Sequence, residues 1–202
     1  MARIVLNPTA YTPLRRRTRT RGRGFGWIAV LLTMSIPLAH AQPVSEEYKV
    51  KAAFIFHFAQ LVDWPGGVLD GDLDVCILED EPRRQELQET LQGKAVGTLV
   101  MHVRLLSPSQ GFQGCNIVFL SRYEDRRQAS AIRSLRGLPV LTIGETDDFI
   151  SAGGMIRFHL DGDKIRFDVN LSGADSSHLK ISSRLLLLAT SVIHGDGTER
   201  GR

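Results

Sequence analysis

The side chains that could do chemistry are scattered along this 202-residue chain rather than grouped. Five of the six histidines follow the N-terminal region: His57, His102, His159, His178 and His194. None of these five lies two to four residues from another histidine or at ligand spacing from a cysteine, as metal sites commonly require. The sequence also contains no G-x-S-x-G, H-E-x-x-H or phosphate-binding glycine loop. We therefore expect a protein without a metal, a cofactor or an enzymatic activity.

Acidic and hydroxyl side chains do cluster at several points. Two of these clusters follow apolar, strand-like segments: residues 79–81 (Glu-Asp-Glu) and 144–145 (Gly-Glu). They either border a ligand crevice at the carboxyl edge of a sheet or form solvated turns. Residues 147–148 (Asp-Asp) and 161–163 (Asp-Gly-Asp) favour turns, because neither has the further oxygen ligands of a calcium loop. Residues 182–183 (Ser-Ser) have no histidine at a fixed nearby offset, which disfavours a nucleophile.

The N-terminal region has the three parts of a secretory signal peptide. Six arginines between residues 15 and 23 precede an apolar run at residues 25–38, and Ala39-His40-Ala41 follows as an A-x-A cleavage site. The run has about 14 residues, and a membrane-spanning helix needs about 20. We expect residues 1–41 to be cleaved after Ala41, which leaves a mature protein in the periplasm. A retained signal anchor is the alternative.

The basic character of the full chain resides in this leader. Residues 1–41 hold seven of the 25 lysines and arginines and none of the 22 aspartates and glutamates, so 18 basic and 22 acidic side chains remain, a formal net charge of −4. Nucleic-acid binding needs a basic face that displaces counterions. The charge therefore excludes a nucleic-acid partner for the mature chain, whose length suits a single domain.

Cys76 and Cys115 are the two cysteines of the chain, and each lies in an apolar, strand-like segment. In an oxidising compartment an even pair can form a disulfide. If the two strands are neighbours, the bond would link them within one sheet. The alternative is a pair of buried free thiols that pack as small hydrophobic side chains.

The mature chain begins with a predicted helix at residues 45–64. Ser45 supplies a capping residue, and the two glutamates after it place negative charge at the helix start. Apolar residues recur at helical spacing, but the opposite face is apolar as well. Such a helix is either enclosed by its own domain or shared with a partner. His57 within it is accordingly predicted to be a core or interface histidine.

Strands and helices alternate after this helix. We predict helices at residues 83–92 and 123–136, and strands at residues 73–78, 98–106, 116–120 and 140–143. Short, continuously apolar strands are typical of a sheet covered on both faces, and the alternation favours right-handed crossovers. The predicted fold class is α/β, with a mixed, largely parallel sheet flanked by helices.

The last third of the chain has a different pattern. Residues 155–160 and 165–171 flank Asp161-Gly162-Asp163-Lys164, and Asp-Gly between alternating segments predicts a tight hairpin turn. A final helix is predicted at residues 176–193. We expect the α/β domain to cover residues 42–194 and residues 195–202 to form a disordered tail.

Several stretches together resemble the YfiR family of periplasmic proteins. They are VKAAFIFHFA (residues 50–59) with Asp63-Trp64-Pro65, CNIVFLS (115–121), Leu141-Thr142-Ile143 with Phe149, GGMIRF (153–158), IRFDVNL (165–171) and LKISSRLL (179–186). The likeness covers about residues 47–189 and depends on the order and spacing of these stretches. The family pattern has an acidic residue and Ile where this chain has Asp168 and Val169, a conservative change.

The resemblance implies regulation by contact. YfiR-like proteins bind the periplasmic sensor domain of a membrane-anchored diguanylate cyclase and hold its catalytic half inactive, which lowers cyclic-di-GMP and biofilm formation. An outer-membrane OmpA-like lipoprotein can sequester such a repressor, and a homodimer is expected. Some members carry a further cysteine pair before the Gly-Gly hairpin. Residues 146–154 here contain no cysteine, so only Cys76 and Cys115 could respond to redox conditions.

The hairpin supplies the predicted partner-binding residues. Aromatic and arginine side chains are frequent interface hot spots, and we single out Ile156, Phe158, Arg166 and Phe167; each could instead belong to the core. The alternative function is a periplasmic small-molecule-binding module that tunes a signalling partner, with its crevice near Glu79 and residues 144–145. A hydrolase is disfavoured because no nucleophile and base can be paired.

Overall fold

A nine-stranded mixed sheet lies at the centre of the computed structural model, which describes residues 43–66, 69, 71–107, 109–194 and 199–201. The helices are α1 (Pro43–Gln60), α2 (Arg84–Leu91), α3 (Asp125–Leu135), α4 (Leu171–Ser176) and α5 (Ser183–Leu186), with one 3-10 turn at Arg122–Glu124. The strands are β1 (Val62–Asp63), β2 (Asp72–Leu78), β3 (Ala95–Val96), β4 (Leu99–Leu106), β5 (Ile117–Leu120), β6 (Leu141–Gly144), β7 (Ile156–Asp161), β8 (Lys164–Asn170), β9 (Lys180–Ile181), β10 (Ser191–Ile193) and β11 (Glu199–Gly201).

The strand order confirms the predicted fold class. The order is β11-β10-β8-β7-β6-β5-β2-β4-β3, while β1 and β9 pair in a separate two-stranded ribbon. The central strands β4, β2, β5, β6 and β7 run parallel to one another. Antiparallel pairing occurs at β3–β4, β7–β8 and β10–β11. Because β4 and β5 lie on opposite sides of β2, the order of the chain reverses at β2, which is where α/β sheets usually open a crevice.

Alternating side chains on the central strands separate two hydrophobic cores, as expected for a sheet covered on both faces. On β2, Leu73, Val75 and Ile77 pack with residues of α1 and α2, whereas Cys76 and Leu78 pack with residues of α3. Each buried aliphatic side chain contributes about 1.5–3 kcal/mol. The helices are therefore held on the sheet by the apolar side chains whose spacing in the sequence predicted these elements.

Cys76 and Cys115 are joined by a disulfide, with their Cα atoms 5.8 Å apart. Cys76 lies on β2 and Cys115 comes just before β5, which is a parallel neighbour of β2. Of the two alternatives left open by the sequence, the structure has the bonded one.

The predicted final helix at residues 176–193 is wrong. His178 has a positive φ of 58°, which ends α4 and turns the chain into β9. The hydroxyl of Ser182 then accepts a hydrogen bond from the Arg184 amide and starts the four-residue α5. Next, the amide of Thr190 donates to the Phe167 carbonyl over 2.8 Å, and the chain joins the sheet as β10. The run of leucines thus belongs to short elements rather than one helix.

Both ends of the chain fall largely outside the described residues. The predicted signal peptide, residues 1–41, lies outside them, as do residues 195–198 and 202 of the predicted tail. Within that tail Glu199–Gly201 pair antiparallel with β10, where disorder was predicted. None of the described helices combines the length and the hydrophobicity that a membrane span needs.

Candidate functional site

The β7–β8 hairpin separates the four predicted partner-binding residues. Ile156, Phe158 and Phe167 are 0%, 1% and 3% exposed and belong to the core shared with α1. Arg166 is exposed on the opposite face, paired across the hairpin with His159. Of the two alternatives that the sequence left open, the structure has the core for the first three, which α1 covers. Arg166 is exposed, and its binding to a partner stays a prediction.

An aromatic cluster fixes α1 on the hairpin. The ring of Phe58 lies 5.6 Å from the ring of Phe158 and 4.9 Å from that of Phe167, measured between centroids. Phe54 lies 6.0 Å and 5.9 Å from the same two rings. Aromatic pairs at such distances stabilise beyond the area they bury, so this cluster determines which face of the hairpin is inward.

An open apolar groove lies where α1 meets the hairpin tip. We call it the α1–hairpin groove; its apolar lining is Val50, Phe54, Leu160 and Ile165, and its volume is about 710 Å³. Val50 and Leu160 are 46% and 48% exposed. The lining also includes the charged residues Glu46, Glu47, Asp163 and Lys164. Exposed apolar surface with a polar rim is typical of a protein-binding site.

The sequence held an indication of this groove. The excess of apolar residues on α1 allowed for a helix shared with a partner, and strand alternation places Leu160 on the same face as Phe158. The sequence could not show how far along the hairpin the contact with α1 extends. The structure shows that it covers Phe158 and leaves Leu160 half exposed.

The opposite face of the hairpin is charged and internally paired. Arg157 donates two hydrogen bonds to the buried Asp168 carboxylate, at 2.7 and 3.1 Å, and one to the Asp147 carbonyl at 3.1 Å. The Ser191 hydroxyl on β10 donates to Asp168 at 2.8 Å. His159 Nδ1 lies 3.2 Å from the same carboxylate without hydrogen-bond geometry. These contacts join β7, β8 and β10 and leave Arg166 at the surface.

The carboxyl edge of the sheet carries a buried polar network around Glu145, which follows β6. Its carboxylate accepts hydrogen bonds from the Tyr48 hydroxyl at 2.9 Å and from the Arg122 amide at 3.0 Å. Lys51 on α1 forms ion pairs with both Glu145 and Glu47. Burial and the neighbouring Glu145 carboxylate raise the pKa of Tyr48, so its phenol stays protonated and donates.

A second acidic group lies beside this network at the strand-order reversal. Glu81, which is fully buried, accepts from the Ser121 hydroxyl and from the Arg83 amide. Glu124 accepts from the Ser121 amide at 3.0 Å, but its Oε1 is buried without a partner among the described residues. Burial raises the pKa of Glu124 to about 8, with a further contribution from the Glu81 charge. Burial also raises the pKa of Glu81.

A profile of the YfiR/HmsC-like family matches residues 48–190. The chain belongs to this family. Its members are periplasmic, non-catalytic regulators of cyclic-di-GMP signalling. A solved structure, a conserved domain protein from Vibrio cholerae O1 biovar El Tor strain N16961, is similar with a TM-score of 0.48 and 14% identity, over 72% of this chain and 60% of that one.

In this YfiR/HmsC-like domain the ligand crevice predicted near Glu79 and Glu145 is filled by the chain itself. The Glu145 side chain is 1% exposed and bonded to α1, and Glu81 is bonded to Ser121. Glu79 is exposed, and Asp80 forms an ion pair with Arg127 at 2.8 Å. The sequence placed these carboxylates correctly at one edge of the sheet, but it did not reveal that Lys51 and Tyr48 would bind one of them.

The other residues that the sequence singled out lie at positions with an ordinary structural role or at the surface. His57, predicted in a core or an interface, is exposed, and its Nδ1 lies 3.1 Å from Gln60 Oε1. Ser182 caps α5, and Ser183 is exposed within that helix. Across the described ranges, no three histidine, cysteine or acidic side chains are grouped as metal ligands. The α1–hairpin groove, with its exposed apolar side chains, is our candidate partner-binding surface of this YfiR/HmsC-like domain.

Proposed function

We propose that this protein is exported to the periplasm, binds the sensor domain of an inner-membrane diguanylate cyclase and represses cyclic-di-GMP synthesis. The observation that carries the proposal is the α1–hairpin groove, in which the apolar side chains of Val50 and Leu160 remain about half exposed. The chain after residue 41 is otherwise acidic in composition. Membership of a family of cyclic-di-GMP regulators supports the choice of partner.

The proposed mechanism is a shift between two conformations of the cyclase. A repressor that binds only the inactive sensor conformation shifts the equilibrium by its difference in affinity for the two states. Moving a cyclase from mostly active to mostly inactive requires about 5.5 kcal/mol of such preference. Full burial of an exposed aliphatic side chain is worth about 1.5–3 kcal/mol, so this preference needs several apolar anchors together with contacts at the rim. The groove offers Val50, Leu160 and Ile165 as anchors, with Phe54 at its base.

Release and assembly belong to the same proposal. An outer-membrane OmpA-like lipoprotein would compete for the repressor and free the cyclase, and the repressor would act as a homodimer. Arg166 does not line the groove; exposed on the other hairpin face, its charge would influence the association rate more than the affinity.

The test uses the mature chain from residue 42 and a membrane diguanylate cyclase with a periplasmic sensor domain, reconstituted in vesicles. Binding is measured by co-sedimentation and repression by cyclic-di-GMP production. Leu160→Asp and Val50→Asp are expected to weaken binding about tenfold or more, since each places a charge in a desolvated contact. Both variants should keep the melting temperature of the wild-type domain.

Leu138→Asp is the matched control, because Leu138 is also 46% exposed but lies after α3, outside the groove. It should bind and repress like the wild type. The proposal is contradicted if Leu138→Asp and Leu160→Asp weaken binding equally, or if the loss of repression in the groove variants always accompanies a loss of thermal stability.

A further inference from the structure

A polar cavity lies at the other end of the hairpin from the α1–hairpin groove. It is partly open to solvent and is bordered by the end of α3, the segment before β7 and the chain after β8, and its volume is about 250 Å³. One water molecule in the liquid occupies about 30 Å³, so the cavity has room for several waters or for one small molecule. The residues that matter below are Arg136, Thr142, Gly153, Ser172, Gly173 and Ser177.

Three hydroxyl groups border this cavity, and two of them have unused hydrogen-bonding capacity. Ser172 Oγ is buried and has no partner among the described residues. Thr142 Oγ1 accepts from the Met155 amide at 3.1 Å, which leaves its own hydrogen free to donate. Ser177 is 1% exposed and lines the same cavity. A buried polar atom without a partner is costly, so the Ser172 hydroxyl indicates a polar occupant.

A single positive charge faces the same space. Arg136 is an exposed residue that lines the cavity, and it has no ion pair or side-chain hydrogen bond among the described residues. No aspartate or glutamate is among the described lining residues. A guanidinium with free donors beside hydroxyl donors is the combination that recognises carboxylates and phosphates.

The backbone keeps this cavity open. Gly153 has a φ of +105°, and a Cβ built there would lie 3.4 Å from an Arg136 guanidinium nitrogen. A Cβ on Gly173 would lie 3.1 Å from the Gly153 carbonyl oxygen. Asn170 holds the two segments together, since its amide donates to the Gly154 carbonyl and accepts from the Gly173 amide, both at 3.0 Å. The glycines thus leave space that any side chain would reduce.

We propose that this cavity binds a small oxyanion, the carboxylate or phosphate group of a small solute. Arg136 provides the charged anchor, and Ser172, Ser177 and Thr142 provide hydroxyl donors. The site is separate from the proposed cyclase-binding groove, so it stands whether or not that function is correct.

The test titrates the ¹⁵N-labelled mature protein with inorganic phosphate and, separately, with acetate at constant pH and ionic strength. Saturable shifts confined to the amides of Gly153, Ser172, Gly173 and Ser177 are expected for the preferred anion. Arg136→Gln should weaken that binding about tenfold or more, the loss expected for a charge-assisted hydrogen bond. Ser172→Ala should weaken it less, and because it removes a buried hydroxyl without a partner it should not lower the melting temperature.

Arg133→Gln is the matched control, since Arg133 is an exposed arginine near the end of the same helix and does not line the cavity. It should bind the anion like the wild type. Phosphate binding more tightly than acetate assigns the site to phosphate compounds, and the reverse assigns it to carboxylates. The proposal is overturned if neither anion gives saturable, localised shifts, or if Arg133→Gln and Arg136→Gln weaken binding equally.

Discussion

The hydroxyl of Tyr48 on α1 donates a hydrogen bond of 2.9 Å to the Glu145 carboxylate beyond β6, although 97 positions separate the two residues in the chain. Lys51, almost one turn further along α1, forms an ion pair with the same carboxylate. The Lys51 and Glu145 side chains are 2% and 1% exposed. The first helix is therefore attached to the sheet by a buried polar contact as well as by its phenylalanines.

Lys51→Met is expected to destabilise the domain by about 3 kcal/mol or more, because it leaves the buried carboxylate of Glu145 without its closest counter-charge. Lys51→Met combined with Glu145→Gln should cost less than the sum of the two single changes, since no unpaired charge remains. Urea denaturation followed by circular dichroism measures both. Lys49→Met removes the exposed pair with Glu46 on the same helix and should have no measurable effect. Strict additivity would show that Lys51 and Glu145 do not interact.

Stability should fall as the pH rises through neutrality. Burial raises the pKa of Glu124 from 4.5 to about 8, so between these values the folded protein holds a proton that the unfolded chain has released. The free energy of unfolding then decreases with rising pH, by up to about 1.4 kcal/mol per pH unit for one such group. Glu124→Gln should reduce this slope between pH 5 and 8 and still accept the Ser121 amide.

Urea titrations at several pH values measure the slope. Glu79→Gln serves as the control, because Glu79 is exposed two positions from Glu81. A residual slope is expected in the Glu124 variant, since burial also raises the pKa of Glu81. If the wild type and the Glu124 variant have the same slope, Glu124 titrates as an ordinary exposed glutamate and the explanation is wrong.

The disulfide should supply a large part of the stability of the domain. Cys76 and Cys115 are 39 positions apart, and closing a loop of that length is worth about 4 kcal/mol in the loop-entropy model. Cys76→Ala with Cys115→Ala is expected to lower the free energy of unfolding by about that amount, and added reductant should not change the variant further. A loss below about 1 kcal/mol would mean that the unfolded chain gains little freedom when the bond is absent.

The middle of the fold could be predicted because its strands are short apolar runs, while the helices α2 and α3 that alternate with them are charged. LDVCIL and NIVFL had no other plausible place than the inside of a sheet covered on both faces, and they form β2 and β5. The final helix could not be predicted correctly. Its leucines suggested one continuous element, but the Ser182 cap and the Phe167–Thr190 backbone bond break that segment into pieces.

The candidate site was predictable only in part. Side-chain alternation shows which residues share a face of a strand, but it does not show which face is buried. Alternation puts Phe167 and Arg166 on opposite faces, yet the prediction grouped both with Phe158 because the sequence does not say which face is outward. Which face is covered depends on Phe58 of α1, about 100 positions earlier. Lys51 gave a similar difficulty: a lysine between apolar residues indicates a solvent-facing position until its distant partner Glu145 is known.

The two faces of the hairpin should respond differently to substitution. Phe158→Ala is expected to destabilise the domain by about 3–5 kcal/mol, because it opens a cavity against Phe54 and Phe58. Arg166→Glu should leave the free energy of unfolding nearly unchanged, since Arg166 is exposed and its only ion pair with a described residue, Asp161, spans 3.9 Å. Urea denaturation of both variants measures the difference. Similar losses in the two variants would place Arg166 in the core and contradict the register.

The second glycine of the Gly-Gly pair is explained by Phe149, whose ring lies between Gly144 and Gly154. A Cβ built on either glycine would come within 2.1 Å of the ring, far closer than side chains approach in folded proteins. Gly154→Ala should therefore destabilise by at least about 1–3 kcal/mol through overpacking. In a Phe149→Ala background the same change should cost little, because the added methyl group can enter the space that the ring occupied.

Gly111→Ala, where nothing lies within 4 Å, is the control for the change in backbone entropy. If Gly154→Ala costs the same with and without the Phe149 ring, the close approach of ring and backbone does not determine the choice of glycine.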